Sequence, residues 1–333
     1  MNHAAAPIIR QKLADWFHTA GRQLPWRSNP SPYAVLVSEF MLQQTQVVSV
    51  IPYFQRWMER LPSLAELATA HEDTVFQLWQ GLGYYSRARN LHRAAQEVVA
   101  RFAGNLPSEP ALLATLPGVG PYSAGAIASF AFDKPAAAVD ANIARVLARL
   151  ANIDTPIDST EGNRLLWQLA TDLLPEKTGG RLHTSALMEL GALICLPKNP
   201  KCLMCPIRPE CRATDPESIP RKAPRKPTIA LEEYAAWIVH EGTVLLEQQT
   251  GRRAGGLWKL PLLAGAPEGE ALFETVYPFT HHRITLRVHT APRPLELSSA
   301  QRWFALSNVL DEAALPAGHR RALKALVPAS ARV

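Results

Sequence analysis

Leu116–Asp140 reads LPGVGPYSAGAIASFAFDKPAAAVD, and its punctuation decides the fold of the first part of the chain. Gly118 and Gly120 bracket a tight turn, where glycine permits positive φ and a close backbone approach. Pro121 suits the first turn of a helix, because its missing N–H has no partner there in any case. A helix that starts straight after a glycine turn presents unpaired backbone N–H groups, and these suit a phosphate. Asp140 stands just before Ala141–Leu150, where Ile143, Val146, Leu147 and Leu150 recur at helical spacing. An ordinary helix N-cap accounts for Asp140 as well as a catalytic role does.

Working outward, residues 8–20 read as a helix with Ile9, Leu13, Trp16 and Phe17 on one face. LPWRSNPSPY (24–33) reads as a proline-punctuated loop. Ala34–Val48 is long enough for one helix, and Glu39 lies among Val35, Leu36, Val37, Phe40, Met41 and Leu42. A carboxylate buried in such surroundings is costly when ionised, and burial raises its pKa. A solvent-facing Glu39 on the side of Gln43 and Gln46 fits the same spacing. Ser86–Phe102 predicts a helix with Leu91, Ala94, Ala95, Val98, Val99 and Phe102 inward, leaving Arg87, Arg89 and Arg93 to face out. Two further helices follow over 160–174 and 182–194. No internal repeat interrupts this all-α pattern.

The 333 residues carry 35 basic and 29 acidic side chains, net +6, which is compatible with nucleic acid without requiring it. Five basic and two acidic residues fall in 212–230, a proline-rich stretch that reads as an extended linker. No run approaches membrane-span length, and the N-terminus has no apolar stretch fit for a signal peptide, so a soluble cytoplasmic protein is expected. The four cysteines are spaced Cys195-x6-Cys202-x2-Cys205-x5-Cys211. That is poor disulfide usage for a chain of this size and reads as a metal site. Four thiolates suit zinc or an iron–sulfur cluster.

These features together resemble a family. LPGVG-PY…VD is similar to the helix-hairpin-helix, Gly/Pro and Asp signature of the base-excision DNA glycosylase superfamily. SEFMLQQTQV, LPWR and GLGYYSRARNL (81–91) resemble the MutY-type adenine DNA glycosylases, and the cysteine spacing resembles the [4Fe–4S] motif of the endonuclease III and MutY branch. From Tyr234 the pattern turns to strands: YAAWIVH-EG-TVLLEQQ as a hairpin, then GLWKLPLL, RITLRVH and RWFAL, closed by a helix over 318–327. This resembles the Nudix-like C-terminal domain of MutY proteins. No acidic cluster follows LWKLPLL, so a magnesium site for pyrophosphate cleavage is not evident.

The fold class expected from this resemblance is a mainly α N-terminal helix-hairpin-helix glycosylase domain with an iron–sulfur loop, plus a smaller α/β Nudix-like C-terminal domain. The expected bounds are 1–211, a linker over 212–230, and 231–333. The resemblance implies an enzyme that cuts the N-glycosidic bond of adenine mispaired with 8-oxoguanine or guanine. Double-stranded DNA is its partner, a monomer its expected state, and the nucleoid its place in a bacterium. Glu39 is then the acid that protonates adenine, and Asp140 the carboxylate that stabilises the cationic sugar. Asn142 matches a polar partner of that aspartate.

Tyr122 stands where bifunctional relatives carry a nucleophilic lysine, implying a monofunctional glycosylase. Trp26, Arg27 and Leu42 match the adenine pocket, and Gln44 and Tyr84 match groups that insert into the base stack. Gly118 and Gly120 grip phosphate. Phe279, Thr280 and His281, in PFTHHRITL (278–286), match the loop that senses 8-oxoguanine, with Thr280 replacing the usual serine. Cys195, Cys202, Cys205 and Cys211 hold the [4Fe–4S] cluster. The runner-up is an endonuclease III-type enzyme for oxidised pyrimidines, disfavoured by Glu39, by Tyr122 and by the extra domain. A non-catalytic lesion-binding module is the alternative of a different class.

Overall fold

The computed structural model describes residues 5–224, 227–250, 256–279 and 281–328. They form two compact units, Met1–Ala68 with Arg93–Pro224, and Thr69–His92 with Arg225–Val333. Among the described residues twelve α-helices precede the first strand: α1 (Ala5–Ala20), α2 (Pro25–Ser28), α3 (Pro32–Leu42), α4 (Val47–Arg60), α5 (Leu64–Thr69), α6 (Glu72–Trp79), α7 (Ser86–Phe102), α8 (Pro110–Leu113), α9 (Pro121–Phe132), α10 (Ala141–Leu150), α11 (Thr160–Asp172) and α12 (Gly180–Leu193). Prolines open several of them: Pro25, Pro32, Pro110 and Pro121 sit in first turns. The 24–33 stretch is therefore a short helix and the start of α3 rather than a continuous loop.

In the first unit α12 packs against α1, α9 and α10, while α3 packs on α9 and α4. Ile9, Leu13, Ile143, Leu147, Leu166, Leu187 and Leu190 fill one core with Ile207 and Ile219. Ile219 lies in the stretch that reads as linker. Its burial, a hydrogen bond from Ile157 N to Arg221 O (3.0 Å) and one from Ala223 N to Asp158 Oδ1 (2.9 Å) tie residues up to Pro224 to the helices.

The second unit carries β1 (Ile229–Trp237), β2 (Val239–His240), β3 (Thr243–Gln248), β4 (Trp258–Lys259), β5 (Phe273–Phe279), β6 (His282–Thr290), β7 (Gln301–Ala305), α13 (Val309–Glu312) and α14 (Ala317–Leu326). One sheet has the order β1-β6-β5, with β1 parallel and β5 antiparallel to β6. The other joins β2, β3 and β4, with β7 also paired to β3. The hairpin expected over 234–248 forms only from Val239 onward, turning at Glu241 and Gly242. Residues 234–237 belong to β1 in the other sheet.

Thr69–His92, expected in the first domain, groups with this unit. Gln77 donates to Glu312 O (3.3 Å), Gln80 to Ala313 O (3.3 Å), and a Cβ on Gly256 would sit 2.7 Å from the Phe76 ring. In α7 the inward set is largely as expected, but Val99 is exposed and Arg87 is buried.

Candidate active site

α3 begins with Pro32 in its first turn and Ser31 Oγ accepting from Ala34 N at 3.2 Å. Every residue from Tyr33 to Met41 is buried, so the helix has no solvent side on which Glu39 could stand; Glu39 is 3 % exposed. The single helix expected to reach Val48 breaks after Leu42. Gln44 takes φ 57, a left-handed conformation that stops a helix, and α4 restarts at Val47.

The hairpin opposite builds the second half of the site. Gly118 has φ 77, as a turn there demands. Gly120 departs from the expectation. Its φ of −87° and ψ of −179° are open to any residue, and a Cβ there would meet nothing within 4 Å. Its contribution is open space before the first N–H groups of α9. Gly125 acts by close approach, because a Cβ would stand 1.8 Å from Ala137 O. That contact lets the extended 133–140 segment cross α9 and deliver Asp140 to the start of α10.

Glu39, Tyr122, Asp140, Asn142, Trp26, Arg27, Leu42 and Gln44 line one cavity of about 1300 Å³. Burial pushes the Glu39 carboxyl up to about 7 from 4.5, with a bond from Tyr122 opposing and the Asp140 charge adding. Glu39 Oε2 has no hydrogen-bond partner among the described residues. The Tyr122 hydroxyl bonds the Glu39 carboxyl and is itself raised well above its ordinary value, first by burial. Near neutral pH the Glu39 carboxyl is therefore partly protonated, and the Tyr122 hydroxyl keeps its own proton.

Asp140 is an N-cap and also lines the cavity. Its Oδ1 caps α10 by accepting from Ile143 N (2.6 Å), and Oδ2 accepts from Asn142 Nδ2 (3.0 Å). Burial raises its pKa, and these donors and Arg145 pull it back. Arg145 extends the chain of bonds: Nη2 donates to Asn142 Oδ1 (2.8 Å) and Gly191 O (2.7 Å), Nε to Cys195 O (2.7 Å).

Glu189 was not legible as a site residue, although it repeats the Glu39 signal: a lone carboxylate in the apolar run ALMELGAL of α12. It is fully buried on the cavity wall. Oε1 accepts from Arg22 Nε at 2.5 Å and Oε2 from Arg27 Nη2 at 2.9 Å. Burial alone would raise Glu189, but the two arginines more than offset it and hold the carboxyl below its usual range. Arg27 also lies over the Phe17 ring at 5.3 Å, and Trp26 packs edge-on against Phe54 at 5.3 Å. Trp26 and Arg27 are thus packed into the cavity wall, and Leu42 lines the same cavity half-buried.

The remaining candidates lie elsewhere. Gly118 and Gly120 are exposed on the hairpin and do not line the cavity. Tyr84 and His281 belong to the second unit, and both are exposed. The His281 ring lies tilted against that of His282, with centroids 4.0 Å apart. Phe279 ends β5 opposite His282. Thr280 lies outside the described residues.

Cys195, Cys202, Cys205 and Cys211 face a separate cavity of about 200 Å³. Burial first, and then the neighbouring cysteines, push Cys205 up to about 11. Arg149, 2 % exposed, donates to Cys195 Sγ (3.3 Å), Leu196 O (2.6 Å) and Ile219 O (2.8 Å), binding both ends of the loop. Among the described residues no group of three or more His, Cys, Asp or Glu is placed to hold a single metal ion. Four thiols lining one cavity are a donor set that suits zinc or an iron–sulfur cluster.

Comparison with known proteins agrees with this geometry. Residues 37–171 match the HhH-GPD superfamily base excision DNA repair protein family. An adenine DNA glycosylase of Rattus norvegicus is 34 % identical over 86 % of this chain and 71 % of its own length. One of Mus musculus is 45 % identical, over 63 % of this chain and 42 % of its own length. The match thus spans less than half of the mouse protein. A solved thermostable thymine-DNA glycosylase is similar with a TM-score of 0.55 and 28 % identity, over 63 % of this chain and 96 % of that one.

Proposed function

The chain belongs to the adenine DNA glycosylase family, enzymes of base-excision repair that remove adenine from DNA, and from that premise we propose that it excises adenine opposite 8-oxoguanine or guanine by acid-assisted hydrolysis. The carrying observation is two carboxyls in one cavity, Glu39 buried with its pKa raised to about 7 and Asp140 half-buried and fed by hydrogen-bond donors. Glu39, steadied by Tyr122, gives its proton to a ring nitrogen of the flipped base. The N-glycosidic bond then breaks with its electron pair going to the leaving nitrogen. Asp140 stabilises the cationic sugar that remains. Water adds to the anomeric carbon and returns a proton to Glu39. No lysine lines the cavity among the described residues, which supports a monofunctional hydrolase.

In this reading the enzyme acts on duplex DNA as a monomer. The hairpin at Gly118–Gly120 and the exposed Lys198, Lys201, Arg208 and Arg212 of the cysteine loop suit the phosphate backbone. The four cysteines would hold a [4Fe–4S] cluster, which supplies a cross-link that fixes the loop. The second unit, Nudix-like in this reading, senses the opposite base through Phe279, Thr280 and His281, between β5 and β6.

Glu39→Gln should lower single-turnover adenine release by about a thousandfold or more while leaving mismatch binding intact. The wild-type rate should decline as pH rises through about 7, where Glu39 loses its proton. Near-normal cleavage by the variant removes Glu39 from the mechanism. Changing Phe279, Thr280 and His281 together to alanine should reduce the preference for A·8-oxoguanine over A·G by about tenfold, since a site built to bond a polar group discriminates by that bond. An unchanged ratio at fixed salt would place lesion sensing elsewhere.

A further inference from the structure

The turn between α6 and α7 carries Gly83 at φ 69 and Tyr84 at φ 47. Tyrosine is disfavoured there because its Cβ crowds the following carbonyl. Such a conformation persists only where the surroundings over-determine it. Here they do. Arg87 Nη2 donates to Leu82 O (3.0 Å) and Gly83 O (3.2 Å), Trp79 Nε1 donates to Gly83 O (3.1 Å), and Arg87 N to Tyr84 O (2.9 Å). The guanidinium carbon lies 5.4 Å from the Trp79 ring centroid and 5.5 Å from that of Tyr84. Arg87 is 6 % exposed, whereas Tyr84 is 52 % exposed.

We propose that Arg87 is a positioning residue for base flipping: clamped between Trp79 and Tyr84, it fixes the left-handed turn so that the Tyr84 ring stands ready to enter the base stack. This rests on Tyr84 acting as a wedge, and it explains why a residue expected on the solvent side of α7 is buried. The role needs a flat cation, because the guanidinium must lie between two rings while its Nη2 donates to two carbonyls. Lysine keeps the charge but, as a compact ammonium, cannot lie flat between the two rings. Burial lowers the Arg87 pKa to about 10, so the cation persists at neutral pH. A ring held in place before binding loses less freedom on insertion, and the gain appears as tighter mismatch binding and faster flipping.

The test is a double-mutant cycle in the full chain, pairing Arg87→Lys with Tyr84→Ala on A·G and matched duplexes at one salt concentration. Thermal midpoints are recorded for each protein. Arg87→Lys alone should weaken mismatch binding and slow single-turnover excision by about tenfold, and by less than about twofold once Tyr84 is alanine. A merely structural arginine gives additive losses, and additivity overturns the proposal. A Tyr84→Ala protein that binds and cleaves like wild type sinks the wedge reading itself, which separates the two failures. Should Arg87→Lys not fold, Trp79→Phe takes its place in the cycle. It deletes the bond to Gly83 O and keeps the stacked ring, and additivity there is equally decisive.

Discussion

The cavity has two walls, and each places one glutamate in an apolar helix. On α3, Glu39 is buried with Oε2 unpartnered among the described residues, and its carboxyl rises to about 7. On α12, Glu189 is buried just as deeply, but Arg22 and Arg27 grip both oxygens and its carboxyl falls below the usual range. Burial acts in the same direction on both. The difference lies in the partners: beside another carboxylate, with only a phenol's bond opposing, Glu39 holds its proton more tightly than usual, while a carboxyl facing two guanidinium groups gives its proton up. One wall can therefore donate a proton, and the other presents fixed charge and orients Arg27.

The strongest way to break this contrast is to strip the second wall. Arg22→Met with Arg27→Met leaves Glu189 a buried carboxylate without its cations. We expect a loss of about 3–5 kcal/mol at pH 8 in urea unfolding. The loss should shrink toward pH 4, as Glu189 takes up a proton like Glu39. A pH-independent loss would show that packing, not charge pairing, holds that wall.

A smaller effect sharpens the first wall. In the unfolded chain Glu39 ionises near 4.5, and in the folded one near 7. Below 4.5 both states hold the proton and burial carries no charge penalty. Between the two values the unfolded state has released its proton while the folded state keeps it, so stability falls as pH rises. Above 7 the penalty is complete, about 3 kcal/mol. Glu39→Gln should therefore be more stable than wild type by about that amount at pH 8 and equal to it near pH 4. Equal stabilities at both pH values would mean that water reaches Glu39 and the wall is not dry.

Much of the fold was legible because it is local. The apolar period of α10, the proline and glycine around α9 and the 6-2-5 cysteine spacing each speak through near neighbours in sequence. They marked Asp140 and the four cysteines as candidates without coordinates, as the apolar run around Glu39 marked that residue, and Asp140 as an N-cap is itself a local bond to Ile143. What the sequence could not state is which distant groups meet. Glu39 could face in or out until α3 proved buried on every side. Glu189 repeats the Glu39 pattern but differs in charge because Arg22 and Arg27, more than 160 residues away, reach it. Arg87 looked solvent-facing by helical spacing and is buried because Trp79 and Tyr84 close over it. Periodicity assigns a residue to a face of its own helix. The charge it carries there depends on solvent exclusion and on partners brought from elsewhere, and only the tertiary structure decides those.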